Sequence, residues 1–155
     1  MPAAKLKEFL DGRGTKYVVI THSPAFTAQE VAAAAHISGK DMAKVVVVKL
    51  DGSMALAVLR ACDDLDFGLL QQATGAGSAE LANESEFADR FPGCEVGAMP
   101  PFGILFGMDT VVDVALAEDE AIAFNAGSHK ELVQLAYGDF EDVVGPRVAP
   151  IARRR

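Results

Sequence analysis

The chain has 155 residues, half of them hydrophobic, and a formal charge of −8. That length predicts one domain with a full core. The acidity excludes a protein that coats nucleic acid non-specifically, though not one that grips a single nucleotide end with a few local cations.

The first residues, with Leu6, Phe9 and Leu10 at helical spacing, read as a helix over 3–11 and not as a signal peptide. Lys16–Thr21 is a short β run, and His22-Ser-Pro-Ala-Phe-Thr connects it to a second helix. Thr27 and Glu30 form a capping box for that helix, and His36 complements its C-terminal dipole. Ala43–Leu50, with four successive valines, predicts a central strand covered on both faces, with Lys44 and Lys49 at its ends. Asp51-Gly52 turns it into a returning strand over Met54–Leu59.

Further on, Asp66–Thr74 reads as a helix closed by Gly75 and Gly77, Glu80–Asn83 as a short strand and Ser85–Phe91 as another helix. Thr110–Ala115 and Glu120–Phe124 are strands, Asn125–Ser128 a turn, and Leu132–Leu135 a strand pairing back. Asp139–Asp142 opens a last helix by side-chain capping, Gly145-Pro146 ends it, and 153–155 form a disordered basic tail beyond a domain spanning 1–152. No apolar run reaches the roughly 20 residues of a membrane helix. Cys62 and Cys94 form no CxxC, which fits a reducing cytoplasm with neither a disulfide framework nor a metal site.

The least ordinary stretch is 93–107, where four glycines and Pro100-Pro101 lie among apolar residues. The prolines stiffen it and the glycines permit close approach to the main chain, which predicts a buried arch. The N–H groups of Gly97, Ala98, Phe102 and Gly103 could then face a ligand. A tight crossover between strands explains the composition equally well. The chain has no Gly-x-Ser-x-Gly elbow, Walker loop, Rossmann fingerprint or His-x-x-x-His spacing. Cys94 beside His22 or His129 is a conceivable thiol nucleophile, against the plainer reading of a buried core thiol.

Four pieces remain: His22-x-Pro, Lys44 opening the Val-rich strand, Gly97-Ala-Met-Pro-Pro-Phe-Gly103, and Asn125-Ala-Gly-x-His129. In that order and spacing the chain, from about Lys16 to Val144, resembles the YbaK/prolyl-tRNA editing family of stand-alone aminoacyl-tRNA deacylases. The resemblance implies an α/β (α+β) fold, a curved mixed sheet approaching a barrel with helices around it. It implies that Lys44 holds the phosphate or terminal adenosine of tRNA. Gly97, Ala98 and Gly103 belong to the loop whose N–H groups would stabilise an oxyanion, with Met99, Pro101 and Phe102 beside the substrate. Asn125, Ala126 and Gly127 would line the aminoacyl pocket. His129 would neighbour the site, and His22 would stand across the cleft or serve as a hydrogen-bonded structural histidine.

The implied activity is hydrolysis of mischarged tRNA, carrying a small amino acid, with water as nucleophile and without metal or organic cofactor. The implied partners are the tRNA acceptor end and an aminoacyl-tRNA synthetase, with neither membrane nor DNA. Lys40, Lys44, Lys49, Arg60 and Lys130 are the candidate cations for RNA. The alternatives are a non-catalytic nucleotide-, tRNA- or synthetase-binding module of the same fold, and the Cys94 hydrolase.

Overall fold

A computed structural model describes residues 4–23, 28–35 and 37–154. It opens with α1 (Ala4–Gly12), β1 (Val18–Thr21) and α2 (Ala28–Ala34). The Val-rich run forms β2 (Ala43–Leu50), and Asp51-Gly52 turns it into β3 (Ser53–Arg60). Both turn residues have positive φ, 51° and 87°, the geometry that matches the twist of a two-residue hairpin. The Asp51 carboxylate also accepts the Gly77 and Ser78 N–H groups at 3.1 and 2.9 Å, tying the hairpin tip to the segment ahead of the next sheet strand.

The chain continues through β4 (Asp63–Leu65), α3 (Phe67–Thr74), β5 (Ala79–Leu81) and α4 (Glu84–Phe87). Asp66 caps α3 by accepting from the Leu69 N–H, and left-handed Gly75 ends it. The second half contains β6 (Asp109–Asp113), α5 (Val114–Ala117), β7 (Ala121–Asn125), β8 (Glu131–Ala136), α6 (Tyr137–Val144), β9 (Arg147–Ala149) and β10 (Ala152–Arg154).

The fold is mixed α+β. Among the described residues the strands form sheets of three (β1-β8-β7), five (β5-β2-β3-β6-β9) and two (β10-β4). The five-stranded sheet is antiparallel through its hairpin and parallel where β6 joins β3 and β9 joins β6. A parallel bridge from Met42 to Ala123, with the Ala123 N–H donating to the Asp41 carbonyl at 3.0 Å, fastens the three-stranded sheet to the start of β2. This brings Lys44, near the start of β2, into the neighbourhood of Asn125, at the end of β7. Under the junction lies a buried aromatic cluster of Phe102, Phe124 and Phe140, with Phe102 ring centroids 5.4 and 5.5 Å from the other two.

Several expectations need correction. The strand over Thr110–Ala115 stops at Asp113, because that carboxylate caps α5 through the Ala115 N–H at 3.1 Å. The helix over Ser85–Phe91 shortens to α4, opened by an Asn83–Glu86 capping box. α6 begins at Tyr137, behind an Ala136 N-cap without side-chain capping, so Asp139 lies in its first turn.

Arg153 and Arg154, expected in a free tail, belong to β10. Arg154 reaches the Asp63 carboxylate at 3.0 Å, and Asp113 accepts the Ile151 and Ala152 N–H groups. Thr27 and His36 lie outside the described residues. No described helix is long and apolar enough to cross a membrane.

Candidate functional site

The glycine-rich arch and the turn after β7 are stitched together by four hydrogen bonds. Glu95 N–H donates to the Gly127 carbonyl at 2.7 Å, and Gly127 N–H donates to the Ala98 carbonyl at 2.8 Å. His129 N–H donates to Glu95 Oε2 at 3.0 Å, and the His129 ring closes the set with Nε2 2.9 Å from the Val96 carbonyl. A carbonyl only accepts, so His129 Nε2 carries its hydrogen. Left-handed Gly97, at φ 85°, makes the bend that this stitching requires.

Across from the bend, a cavity of about 170 Å³ is lined by Ala43, Lys44, Val45, Gly97, Met99 and Asn125. Residues predicted from three separate stretches therefore share one wall: Lys44 from β2, Gly97 and Met99 from the arch, and Asn125 from the end of β7. The Gly97 N–H meets only the Met99 thioether, at 3.2 Å and a weak acceptor, which leaves it readily exchanged for a stronger one. Asn125 is 7 % exposed and its Oδ1 is buried without a partner among the described residues.

The other predicted residues sit elsewhere. Of the arch N–H groups expected to face a ligand, three are already committed. Ala98 donates to Glu95 O at 3.1 Å and Phe102 to Pro100 O at 2.8 Å, while Gly103 donates to Thr110 Oγ1 at 3.1 Å. Gly103 is buried where an added methyl would collide with the Met108 carbonyl and Thr110, so its smallness serves packing. Phe102 and Ala126 are fully buried in the core that holds Phe124 and Phe140. Pro101 is buried, and Gly127 takes part through its backbone.

His22 stands beside the same turn through its N–H to the Lys130 carbonyl, 2.9 Å, and is absent from the cavity lining. Its Nδ1 donates to the Ser23 carbonyl at 2.7 Å, and its Nε2 is buried with no described partner. Sequence reasoning missed Glu95, which contributes its N–H and its carboxylate to the loop junction and its carbonyl to the arch itself. A solitary glutamate in a loop gives no sequence signal for that.

Burial pushes the Cys94 thiol above its ordinary range, with the Lys5 charge working weakly in the other direction. No hydrogen bond links Cys94 to a histidine among the described residues, so geometry does not assemble a thiol–imidazole pair. Two of the candidate RNA cations are engaged within the fold. Lys49 pairs with Glu86 at 2.7 Å and Arg60 with Asp63 at 2.7 Å. Among the described residues no cluster of three or more His, Cys, Asp or Glu could hold a metal. A larger cavity of about 450 Å³ lies at the opposite end of the β2–β3 hairpin, around Asp51 and Arg147. Its Asp51 is spent on the Gly77 and Ser78 N–H groups and its Arg147 on the Ala73 carbonyl, so the smaller cavity is the better chemical candidate.

A family model described as the aminoacyl-tRNA editing domain matches residues 22–143. The multifunctional Ser/Thr-tRNA deacylase ProXp-y of Escherichia coli K12 is 30% identical over 154 residues, covering 96% of this chain and 92% of that protein. A proline–tRNA ligase of Bacillus mycoides is 27% identical over 89 residues, 57% of this chain and 16% of the ligase. Among solved structures, a candidate trans-editing enzyme for prolyl-tRNA synthetase superposes with a TM-score of 0.82 at 21% identity, covering 98% of this chain and 97% of that one. A hypothetical protein superposes at 0.85 with 22% identity, covering 96% and 99%.

Proposed function

We propose, from the premise that the chain belongs to the aminoacyl-tRNA editing domain family, that it hydrolyses the ester joining a wrongly attached amino acid to the 3′ end of a tRNA. It is an aminoacyl-tRNA deacylase of translational quality control. The observation that carries this reading is the convergence of Lys44, Gly97 and Asn125 on one small cavity whose wall, among the described residues, has no Ser, Thr or Cys.

An aminoacyl ester is already activated, so positioning and carbonyl polarisation suffice to accelerate its hydrolysis. Lys44 is the anchor for a phosphate or the terminal adenosine, a point charge strengthened by apolar neighbours. The Gly97 N–H gives up its weak contact with the Met99 sulfur and donates to the oxyanion as it forms. Water, assisted by the terminal ribose hydroxyl, adds to the carbonyl carbon. The bond to the ribose oxygen then breaks, and that oxygen takes the proton. His129 and Glu95 hold the arch against the pocket turn.

At about 170 Å³ the cavity falls below the usual 300–1,000 Å³ of small-molecule sites, which supports a small aminoacyl group as occupant with the adenosine outside it. The name of the E. coli relative supports serine and threonine as the amino acids removed. The partial likeness to a proline–tRNA ligase supports a working partnership with such a synthetase.

The test is deacylation of pre-charged Ser-, Thr-, Ala- and Cys-tRNA by wild type and by Lys44→Ala. Release from at least one substrate, lost at least tenfold in a folded Lys44→Ala, is the expected result. Absence of release with retained binding of uncharged tRNA would make the chain a binding module.

A further inference from the structure

Asn125 ends β7 on the cavity wall, among Ala43, Val45 and Met99 and within the same cavity as Lys44. Only 7 % of the residue is exposed, and its Oδ1 is buried without a hydrogen-bond partner among the described residues. A buried amide oxygen without a partner is unfavourable, and an incoming donor would complete it.

We propose that Asn125 is the specificity-determining residue of the aminoacyl pocket and that it reads a β-hydroxyl, the group that distinguishes serine and threonine from alanine. The inference rests on the deacylase reading above and adds the residue that selects the substrate. A carboxamide offers both a donor and an acceptor, and a hydroxyl answers both with a single atom. An α-ammonium only donates, and every aminoacyl-tRNA carries one, so it cannot sort substrates. A methyl answers neither half of the amide, and a thiol answers both weakly. A site built around a hydroxyl discriminates strongly against the analogue lacking it, because the buried polar group is then left unpaired.

The experiment compares kcat/KM on Ser-, Thr- and Ala-tRNA for wild type, Asn125→Leu and Asn125→Ala. It is joined by thermal unfolding and by binding of non-hydrolysable seryl- and alanyl-adenosine amides. The serine-to-alanine ratio is expected to fall by about 10- to 100-fold in both variants, through loss of the serine reaction. The amides should show the same shift in relative affinity. The unfolding midpoint of Asn125→Leu should match or exceed wild type, since a buried amide oxygen without a partner is replaced by apolar atoms.

Equal losses on all three substrates would overturn the proposal, because Asn125 would then serve a group common to them. An unchanged ratio in active variants would overturn it too, while leaving the deacylase reading standing. A wild type that releases nothing from the panel would overturn both. If Asn125→Leu fails to fold, the ratio in Asn125→Ala decides.

Discussion

Gly97 and Gly103 stand six positions apart in one arch, and alanine at each should fail in a different way. At Gly103 the new methyl would meet the Met108 carbonyl and Thr110 Oγ1, neither of them the far end of a flexible side chain. Overpacking of this kind destabilises by about 1–3 kcal/mol. Disturbing the buried Gly103 N–H bond to Thr110 adds about 1 kcal/mol. With roughly 2–4 °C per kcal/mol for a chain of this size, the melting midpoint should drop on the order of 10 °C. At Gly97 the methyl would find His129 Cε1 at 3.6 Å, an ordinary contact, so the penalty comes from the left-handed backbone at φ 85°. That is worth about 1–2 kcal/mol, hence roughly 4 °C.

Activity should rank the other way. Gly97→Ala pulls the bend from its geometry and should lower kcat by about tenfold or more, towards the range seen when an oxyanion donor is lost. Gly103→Ala should retain turnover in whatever fraction remains folded at low temperature. The assay is differential scanning of both variants beside single-turnover deacylation below the lower midpoint. A Gly97→Ala protein with wild-type turnover would refute the claim that the bend depends on glycine, since alanine keeps the N–H. A stable but inactive Gly103→Ala would return Gly103 to the chemistry.

Cys94→Ala should leave kcat within about twofold of wild type, since burial holds the thiol protonated; abolished turnover would restore the thiol mechanism. Binding of tRNA should weaken with salt along a shallow slope, about two or three phosphates' worth, because Lys49 and Arg60 are engaged within the fold. A filter-binding titration in potassium chloride checks this. Asp63 lies at the hub joining Arg60 to the C-terminal strand. Burial works to raise its carboxyl, but the Arg60 hydrogen bond and the charges of Arg60 and Arg154 outweigh it, so the group lies below the usual carboxylate range. Its stabilisation is therefore present above an unfolded value near ~4 and is lost as pH falls through the lower folded value. Asp63→Asn should cost about 3 kcal/mol at pH 7 and flatten the acid limb of the stability curve, read by urea unfolding between pH 2 and 7.

What could be read from the sequence was what short stretches decide for themselves. Four successive valines, Asp51-Gly52 and the Asp66…Gly75 frame each carry their own geometry, and the structure follows them closely. Asp113 shows where such reading stops. One carboxylate ends β6, caps α5 and holds the backbone of Ile151 and Ala152, and the last partners lie 38 and 39 residues away. The basic tail looked free because nothing local reveals that Asp63 and Asp113 await it. In the candidate site, the order and spacing of the four pieces single out Lys44 and Asn125, and both line the small cavity. The resemblance built on those pieces also sets Phe102 and Ala126 beside the substrate, and it carries no information on which way each side chain faces. A sharp turn sends neighbouring side chains in opposite directions, and these two point into the core.

The distribution of polar contacts bears on the proposed mechanism. Glu95 and His129 use backbone and side-chain groups to hold two loops together, while Lys44 and Asn125 line the cavity wall. A reaction that needed a strong nucleophile would call for the reverse, with a base and its orienting partner gathered at the cavity. For an already activated ester the barrier is lowered chiefly by fixing the carbonyl against a donor, where an error of 1 Å can cost about a hundredfold in rate. Rigidity between the arch and the turn is then itself the catalytic investment. On the proposed mechanism, Glu95, which ties the two loops together, should then matter for rate alongside Lys44.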